Sequence, residues 1–315
     1  AIADNGPAGK YVTRTELDIE GNQRAVIDAK GRVVMEYDYD MLGVKIHQSS
    51  MEAGQRWMLN DVSGKPIRAW DSRGHTFRTE YDLLRRPLHS FVQGASGSEA
   101  DPRTVAREIL FARTQYGEGQ PDDVALNLRT RAVRQDDGAG IVAMGSYDFK
   151  GNLLAGARQL LQDYKGLADW SGQPSLEPET FQSATTYDAL NRVLTATSPD
   201  DSVTRPTYNE ANFLERMDVN LRGEKDGKGQ PIWTPFVTNI DYDAKAQRER
   251  IDYGNGARTI YAFDPLTFRL TRLLTTRPAI VDGLATSLFK SPGIVQDLNY
   301  TYDPAGNITR IADDA

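Results

Sequence analysis

Few residues in this sequence have the type and spacing to do chemistry. His47, His75 and His89 stand 28 and 14 residues apart, spacings that match no local metal motif, and no His-Glu-x-x-His segment is present. There is no cysteine, which excludes a disulfide framework and thiolate metal sites and leaves Ser or Thr as the nucleophile type. Gly94-Ala95-Ser96-Gly97-Ser98 is a small-residue loop without the Gly-x-Ser-x-Gly elbow. Gly223 to Gly229 evokes a phosphate loop, but Gly229 stands where Ser or Thr must follow the lysine. Tyr37-Asp38-Tyr39-Asp40 places two carboxylates on one strand face, too few oxygen ligands for a calcium loop. No catalytic, cofactor-binding or metal-ligating residue is assigned, and no cofactor is expected.

The aspartates are the exception, because they recur at a fixed offset from Gly or Asn. The first units pair Asp18 with Gly21, Asp28 with Gly31, Asp40 (after Tyr39) with Gly43, Asp61 with Gly64 and Asp71 with Gly74. A degenerate unit follows at Tyr81 and Asp82. The series resumes at Asp137 with Gly140 and at Tyr147, Asp148 and Gly151, then Tyr187, Asp188 and Asn191, then Tyr208, Asn209 and Asn212. The last units are Tyr242 with Asp243, Phe263 with Asp264, and Tyr302, Asp303 and Gly306. A constant offset reads as turn chemistry rather than paired catalytic carboxylates. Asp suits the first position of a type I turn, where its oxygens accept local N–H bonds. Gly or Asn then takes the left-handed conformation that closes a three-residue hairpin loop with a bulge.

The elements that position these turns are strands. Leu298, Tyr300 and Tyr302 alternate with Asn299 and Thr301, the period of two of a strand with one apolar face. Asp18 to Asp28 is 10 residues, one strand and one turn; Asp40 to Asp61, Asp188 to Asn209 and Asp243 to Asp264 are each 21, one hairpin. The fold class expected is all-β: stacked antiparallel hairpins forming a curved strip or partial shell, with the tyrosines as rungs of a ladder.

Three stretches interrupt the rhythm. Residues 101–114 read as a short helix, with Asp101 as N-cap, Pro102 at the first helical position, and Val105, Ile109 and Leu110 on one face. Residues 167–181, with Trp170, read as an ordered excursion. Residues 222–231 read as a charged, Gly-rich, mobile hairpin tip. No linker divides the chain, so residues 1–315 read as a single repeat domain.

The Tyr-Asp-x-x-Gly-Asn/Arg units resemble the YD repeats of the Rhs family. That family includes polymorphic toxins, the B and C components of bacterial insecticidal toxin complexes, and the teneurins. Tyr187 to Leu194, Tyr208 to Arg216, Tyr253 to Leu273 and Thr301 to Asp314 resemble the toxin-complex subgroup. The resemblance implies hairpins stacked into a strip that spirals into a hollow shell around a C-terminal toxin. It implies as partners the remainder of the shell, the enclosed toxin domain and a pore-forming delivery component. It also implies secretion or extracellular delivery, and a scaffold rather than an enzyme. Complete shells of the family are longer, and no propeller, self-cleaving cap or toxin domain is recognisable, so the chain is expected to be a segment of wall. The alternative is an extracellular module that binds glycan or protein, for which Trp57, Trp70, Trp170 and Trp233 are the candidate aromatics.

The remaining composition agrees. Hydrophobic residues make up 39%, mean hydropathy is −0.54 and the net charge is −7. The charge disfavours nucleic acid as a partner. No run approaches 18 apolar residues, so no membrane insertion by this segment is expected. The first residues have neither a basic region nor an apolar run, so no signal peptide is expected there.

Overall fold

The computed structural model describes residues 11–94, 105–277, 280–281, 284–285 and 293–315. The residues 1–10, 95–98 and 101–104 of the expectations above lie outside that set. The chain divides into two compact units, residues 1–144 with 157–180, and residues 145–156 with 181–315.

The first unit is an antiparallel meander. Its strands are β1 (Arg14–Leu17), β2 (Gln23–Ile27), β3 (Val33–Tyr39), β4 (Lys45–Ser50), β5 (Gly54–Asn60) and β6 (Pro66–Asp71). They continue through β7 (Thr76–Tyr81), β8 (Pro87–Gln93), β9 (Ile109–Tyr116) and β10 (Ala132–Asp137). Each strand pairs with the next along the chain. β11 (Gly140–Tyr147), β12 (Leu153–Leu161) and β13 (Leu176–Tyr187) carry the chain between the units.

The second unit repeats the plan. Its strands are β14 (Val193–Thr197), β15 (Val203–Tyr208), β16 (Leu214–Asn220), β17 (Thr234–Tyr242), β18 (Arg248–Tyr253), β19 (Arg258–Phe263) and β20 (Leu270–Thr276). A two-residue ribbon, β21 (Ile280–Val281) with β22 (Leu284–Ala285), precedes β23 (Ile294–Tyr302) and β24 (Ile308–Asp313). β20 pairs directly with β23, so the ribbon is an excursion from the meander.

The all-β, stacked-hairpin class is found. The helix is not: Ile109–Tyr116 is β9, held by β8 on one side and β10 on the other. Val105, Ile109 and Leu110 fit a helical face, but Ile109-Leu110-Phe111 is also an apolar run with a β-branched and an aromatic residue, both of which favour strands. A helix that short is marginal alone. As a strand between two neighbours, the same backbone satisfies its N–H and C=O groups on both sides. Among the described residues the one helix-like element is the short turn Leu221–Gly223, in which Arg222 takes the left-handed conformation at φ 49°.

Of the excursion read over 167–181, Trp170 belongs to the loop before β13, whereas 176–181 are the first half of that strand. The 222–231 tip is a hairpin turn of the same kind as the rest. Asp226 N–H donates to Gln230 O at 2.8 Å and Gly229 N–H to Asp226 O at 2.9 Å.

Each meander is one strand layer thick, so burial is sparse. Eleven hydrophobic residues are buried among those described. The one cluster they form lies in the first unit: Leu110, Leu161, Ala168 and Trp170, with Phe91, Ile141 and Leu176 packed against it. In the second unit the register sorts the faces. Ile240 faces Ile251, Leu273 faces Leu298 and Tyr300 faces Ile311 on one side. Arg205 faces Asp218, Asp241 faces Arg250 and Asp252 faces Arg258 on the other.

Candidate functional site at the turn edge

Asp303 shows what the repeated aspartate does. Its N–H donates to Asn307 O at 3.0 Å, and Gly306 N–H donates back to Asp303 O at 3.0 Å. The carboxylate then takes up the N–H groups left inside the loop: Gly306 and Asn307 donate to Oδ1 at 2.7 and 2.8 Å. Asn307 Nδ2 donates to Oδ2 at 2.8 Å. Asn or Arg at the fifth position therefore has a stated job. Asn22 and Asn152 use the amide in the same way, and Arg32, Arg86 and Arg192 use Nε at 2.6–2.8 Å.

The same two backbone bonds close the other glycine turns. Gly21 N–H donates to Asp18 O, Gly31 to Asp28 O, Gly43 to Asp40 O, Gly64 to Asp61 O and Gly74 to Asp71 O, all at 2.9–3.1 Å. Gly151 does so to Asp148 O at 3.0 Å. These glycines are thus turn residues and lie far apart along the edges; they form no binding loop together. Positive φ is common to all of them: 88° at Gly21, 75° at Gly31, 73° at Gly43, 77° at Gly64 and 84° at Gly74. It is 93° at Gly151 and 101° at Gly306.

Where glycine is missing, the conformation is kept: Arg85 at 60°, Asn191 at 63°, Asn212 at 68° and Ala246 at 64°. The Asp264 loop is one residue longer, with Phe268 at 58°. A β-branched residue strains that conformation by about 1–2 kcal/mol. Gly306→Val and Gly151→Val are therefore expected to melt well below the parent, and Lys228→Val close to it. Equal melting temperatures for the three would contradict the turn assignment.

The tyrosines lock one hairpin to the previous one. Each closes a strand, and its hydroxyl reaches back to the first carbonyl after the preceding turn on its edge. In the first unit Tyr39 donates to Gln23 O (3.0 Å), Tyr81 to Pro66 O (2.7 Å) and Tyr116 to Pro87 O (3.2 Å). In the second, Tyr208 donates to Val193 O (3.2 Å), Tyr242 to Leu214 O (2.7 Å) and Tyr302 to Leu270 O (2.7 Å). Tyr187 and Phe263 end their strands at the corresponding places, and Tyr147 ends β11. Phe213 packs on the Tyr242 ring at 4.9 Å between centroids. Basic residues that follow a turn lie over the next tyrosine: Arg86 over Tyr116 (3.9 Å), Arg192 over Tyr208 (4.9 Å) and Arg269 over Tyr302 (5.6 Å). Such contacts contribute about 0.5–1 kcal/mol each where exposed.

Neighbouring turns also bond tip to tip. Asn152 Nδ2 donates to Asn191 Oδ1 (3.0 Å), Arg192 Nη1 to Asn212 Oδ1 (2.7 Å), Gln247 Nε2 to Phe268 O (2.9 Å) and Arg269 Nη1 to Asp303 O (3.0 Å). The turns 21 residues apart share an edge, and those 10 apart alternate between edges.

This arrangement uses the carboxylates as acceptors, not as proton donors. The Asn307 side chain, then its backbone N–H, holds the Asp303 carboxyl below its ordinary value of 3.8. Asn22 does the same to Asp18, and Arg32 to Asp28. The backbone N–H of Arg192, seconded by its guanidinium, does so for Asp188. These groups are more acidic folded than unfolded. Their contribution is complete above the unfolded value and is lost as pH falls through the lower folded values. The melting temperature is expected to stay level between about pH 7 and 5 and to fall below about pH 4. A melting temperature unchanged to about pH 2 would show that the turn carboxylates contribute nothing to stability.

The three histidines are not brought together. Each puts Nδ1 on a carboxylate: His47 on Asp38 (2.8 Å), His75 on Asp71 (3.1 Å) and His89 on Glu80 (2.9 Å). Among the described residues no group of three or more His, Asp or Glu could hold a metal ion. Three features lie beyond the repeat pattern. Tyr116 acts without an Asp after it, and the Asp226 turn lies inside an insertion. The third is a set of buried aspartates, each clamped by an arginine from a neighbouring strand and, at Asp136 and Asp218, by a second arginine two residues earlier on the same strand. Asp136 takes Arg113 Nε (2.7 Å) and Arg134 Nε (2.6 Å); Asp218 takes Arg216 Nη2 (2.8 Å) and Arg205 Nη2 (3.4 Å). Asp297 takes Arg272 through Nε and Nη2, both at 2.6 Å.

Hairpins in sequence order, Asp-x-x-Gly turns stacked along an edge and tyrosine hydroxyls joining one hairpin to the next define a YD-repeat stack of the Rhs type. The chain is related to the toxin-complex members of that class. It is 27% identical over 323 aligned residues to toxin subunit YenC2 of Yersinia entomophaga, covering 96% of this chain and 32% of the relative. It is 26% identical to toxin subunit YenC1 of the same organism, covering 93% of this chain and 28% of the relative. The solved TcdB2–TccC3 complex superposes with a TM-score of 0.79 at 26% identity, over 99% of this chain and 15% of that one. The Tc holotoxin pore of Photorhabdus luminescens gives the same TM-score at 25% identity, over 14% of that chain. The chain thus spans about a third of the curated relatives' length. No protein-family model matches it.

Proposed function

We propose that this chain is a stretch of the wall of a toxin-enclosing shell and performs no catalysis of its own. Its role as toxin-complex scaffold follows from the relatives; the enclosed toxin domain and the pore-forming delivery partner are carried over from them as proposals. The observation that carries the reading is the tyrosine bond between successive hairpins, such as Tyr302 to Leu270 O. It joins strands of adjacent hairpins at a fixed register and lets a one-layer sheet extend without a second layer behind it. The edge-to-edge pairing also keeps strand edges from other chains. All these turns spend their carboxylates on local N–H groups, which suits a wall better than a reaction centre. Extracellular delivery belongs to the same proposal.

The test is protease protection in the full-length natural protein. The segment that follows the repeats should resist digestion while the wall is intact, and be degraded when Tyr242→Ala and Tyr302→Ala together open it. Digestion of that segment at the same rate in both proteins would contradict the proposal.

A further inference from the structure

The loop before β13 encloses a second feature of the first unit. Between this loop and the strands lies a cavity of about 770 Å³, a size typical of small-molecule sites. Arg113, Arg134, Gln159, Trp170, Gln173 and Pro174 line it, and no acidic residue is among the described residues that do. Behind the two arginines the Asp136 side chain is fully buried. Arg113 gives it Nε at 2.7 Å and Nη2 at 2.6 Å, and Arg134 gives it Nε at 2.6 Å. Two guanidiniums thus share one carboxylate.

The nearby acids do not cancel the surplus. Asp137 is held by Arg158 at 2.7 and 2.9 Å, and Asp169 by Arg107 at 2.5 Å. Both Nη atoms of Arg134 and the Nη1 of Arg113 make no hydrogen bond to the described residues. Arg134 keeps 35% of its side chain exposed, against 0% for Asp136, so its donors are open to the cavity while its partner is not. The Trp170 indole is fixed by Nε1–H donation to Asp137 O at 3.1 Å, which gives the cavity a rigid aromatic wall.

We propose that this cavity binds a carboxylate through the Nη fork of Arg134, with Arg113 behind it and the Gln173 amide beside it. A planar fork matches a carboxylate through two parallel N–H bonds. One uncompensated positive charge matches a carboxylate, not a phosphate dianion. The carboxylate belongs either to an acidic side chain of a polypeptide or to a free small acid. The site is a property of the first unit and stands apart from the shell proposal.

Calorimetric titration at low salt tests it, with acetyl-Gly-Glu-Gly-Glu-Gly-amide, its glutamine counterpart, succinate and inorganic phosphate as probes. Binding of the glutamate peptide but not succinate identifies a polypeptide source, and the reverse identifies a free acid. The glutamine peptide should not bind. Arg134→Gln should weaken the favoured probe about tenfold or more, with Asp136 still held by Arg113. Arg134→Lys keeps the charge and loses the fork, so it should weaken the probe too; unchanged affinity would reduce the site to bulk charge. No binding of any carboxylate at millimolar concentration, equal binding by both variants, or tighter binding of phosphate would overturn the proposal.

Discussion

Replacing Trp170 by alanine is expected to destabilise the first unit by about 3–5 kcal/mol. Trp170 is 3% exposed and belongs to the one hydrophobic cluster that buried residues form among those described. Its backbone N–H donates to Leu110 O at 2.8 Å, and its indole N–H to Asp137 O at 3.1 Å. The truncation would remove the indole from the cluster and leave the Asp137 carbonyl without that donor. In a one-layer sheet no second core can compensate. Urea titration should show it, with the ring signals of His47, His75 and His89 reporting on the first unit. Trp170→Phe keeps most of the apolar contact and should cost about 1–2 kcal/mol. A loss below about 1 kcal/mol for Trp170→Ala would mean that the cluster does not hold the unit.

Replacing Asp136 by alanine is the second large effect, about 3 kcal/mol. Removing one partner of a buried ion pair costs about 3–5 kcal/mol because the other charge stays behind. Here two guanidiniums stay behind, but they keep 26% and 35% of their side chains exposed and can turn toward water. That places the cost at the low end. The clamp joins β9 and β10, since Arg113 lies opposite Asp136 in the register. Slowed hydrogen exchange of the Gln135 and Asp136 amides should be lost in the variant, and its urea midpoint should fall. The double change Arg113→Leu with Asp136→Leu should recover much of the loss. A single Asp136→Ala variant as stable as the parent would show that the clamp is a surface pair.

The parts of this fold that are legible in the sequence are local. The run from Asp303 to Asn307 carries its turn in five adjacent residues, and the alternation of Leu298, Tyr300 and Tyr302 carries its strand. Gly21, Gly31, Gly43, Gly64 and Gly74 are legible for the same reason, since each bonds to the aspartate three residues before it. What is not legible depends on residues far apart in sequence. The Tyr302 hydroxyl bonds to Leu270, 32 residues away, and only the offset between two hairpins brings them together. Arg113 and Asp136 are 23 apart, and neither has a local pattern. β9 departs from the helical expectation for a different reason. Val105, Ile109 and Leu110 satisfy the helical period, and only the vacant edges of β8 and β10 decide for the strand. The Asp226 turn is hidden by its own composition, because Gly, Lys and Glu around it read as a mobile tip. Arg85 and Ala246 occupy positive φ without glycine, so their units are legible only from the Tyr-Asp pairs that open them, Tyr81-Asp82 and Tyr242-Asp243.

The central claim is that the hairpins are a wall that encloses another part of the same protein. Electron cryomicroscopy of the full-length natural protein tests it most directly. The expected map shows residues 11–94 and 105–277 as part of a continuous wall around a lumen, with density in the lumen for the segment following the repeats. A structure in which the hairpins form a separate domain, with that segment folded outside it, would contradict the claim.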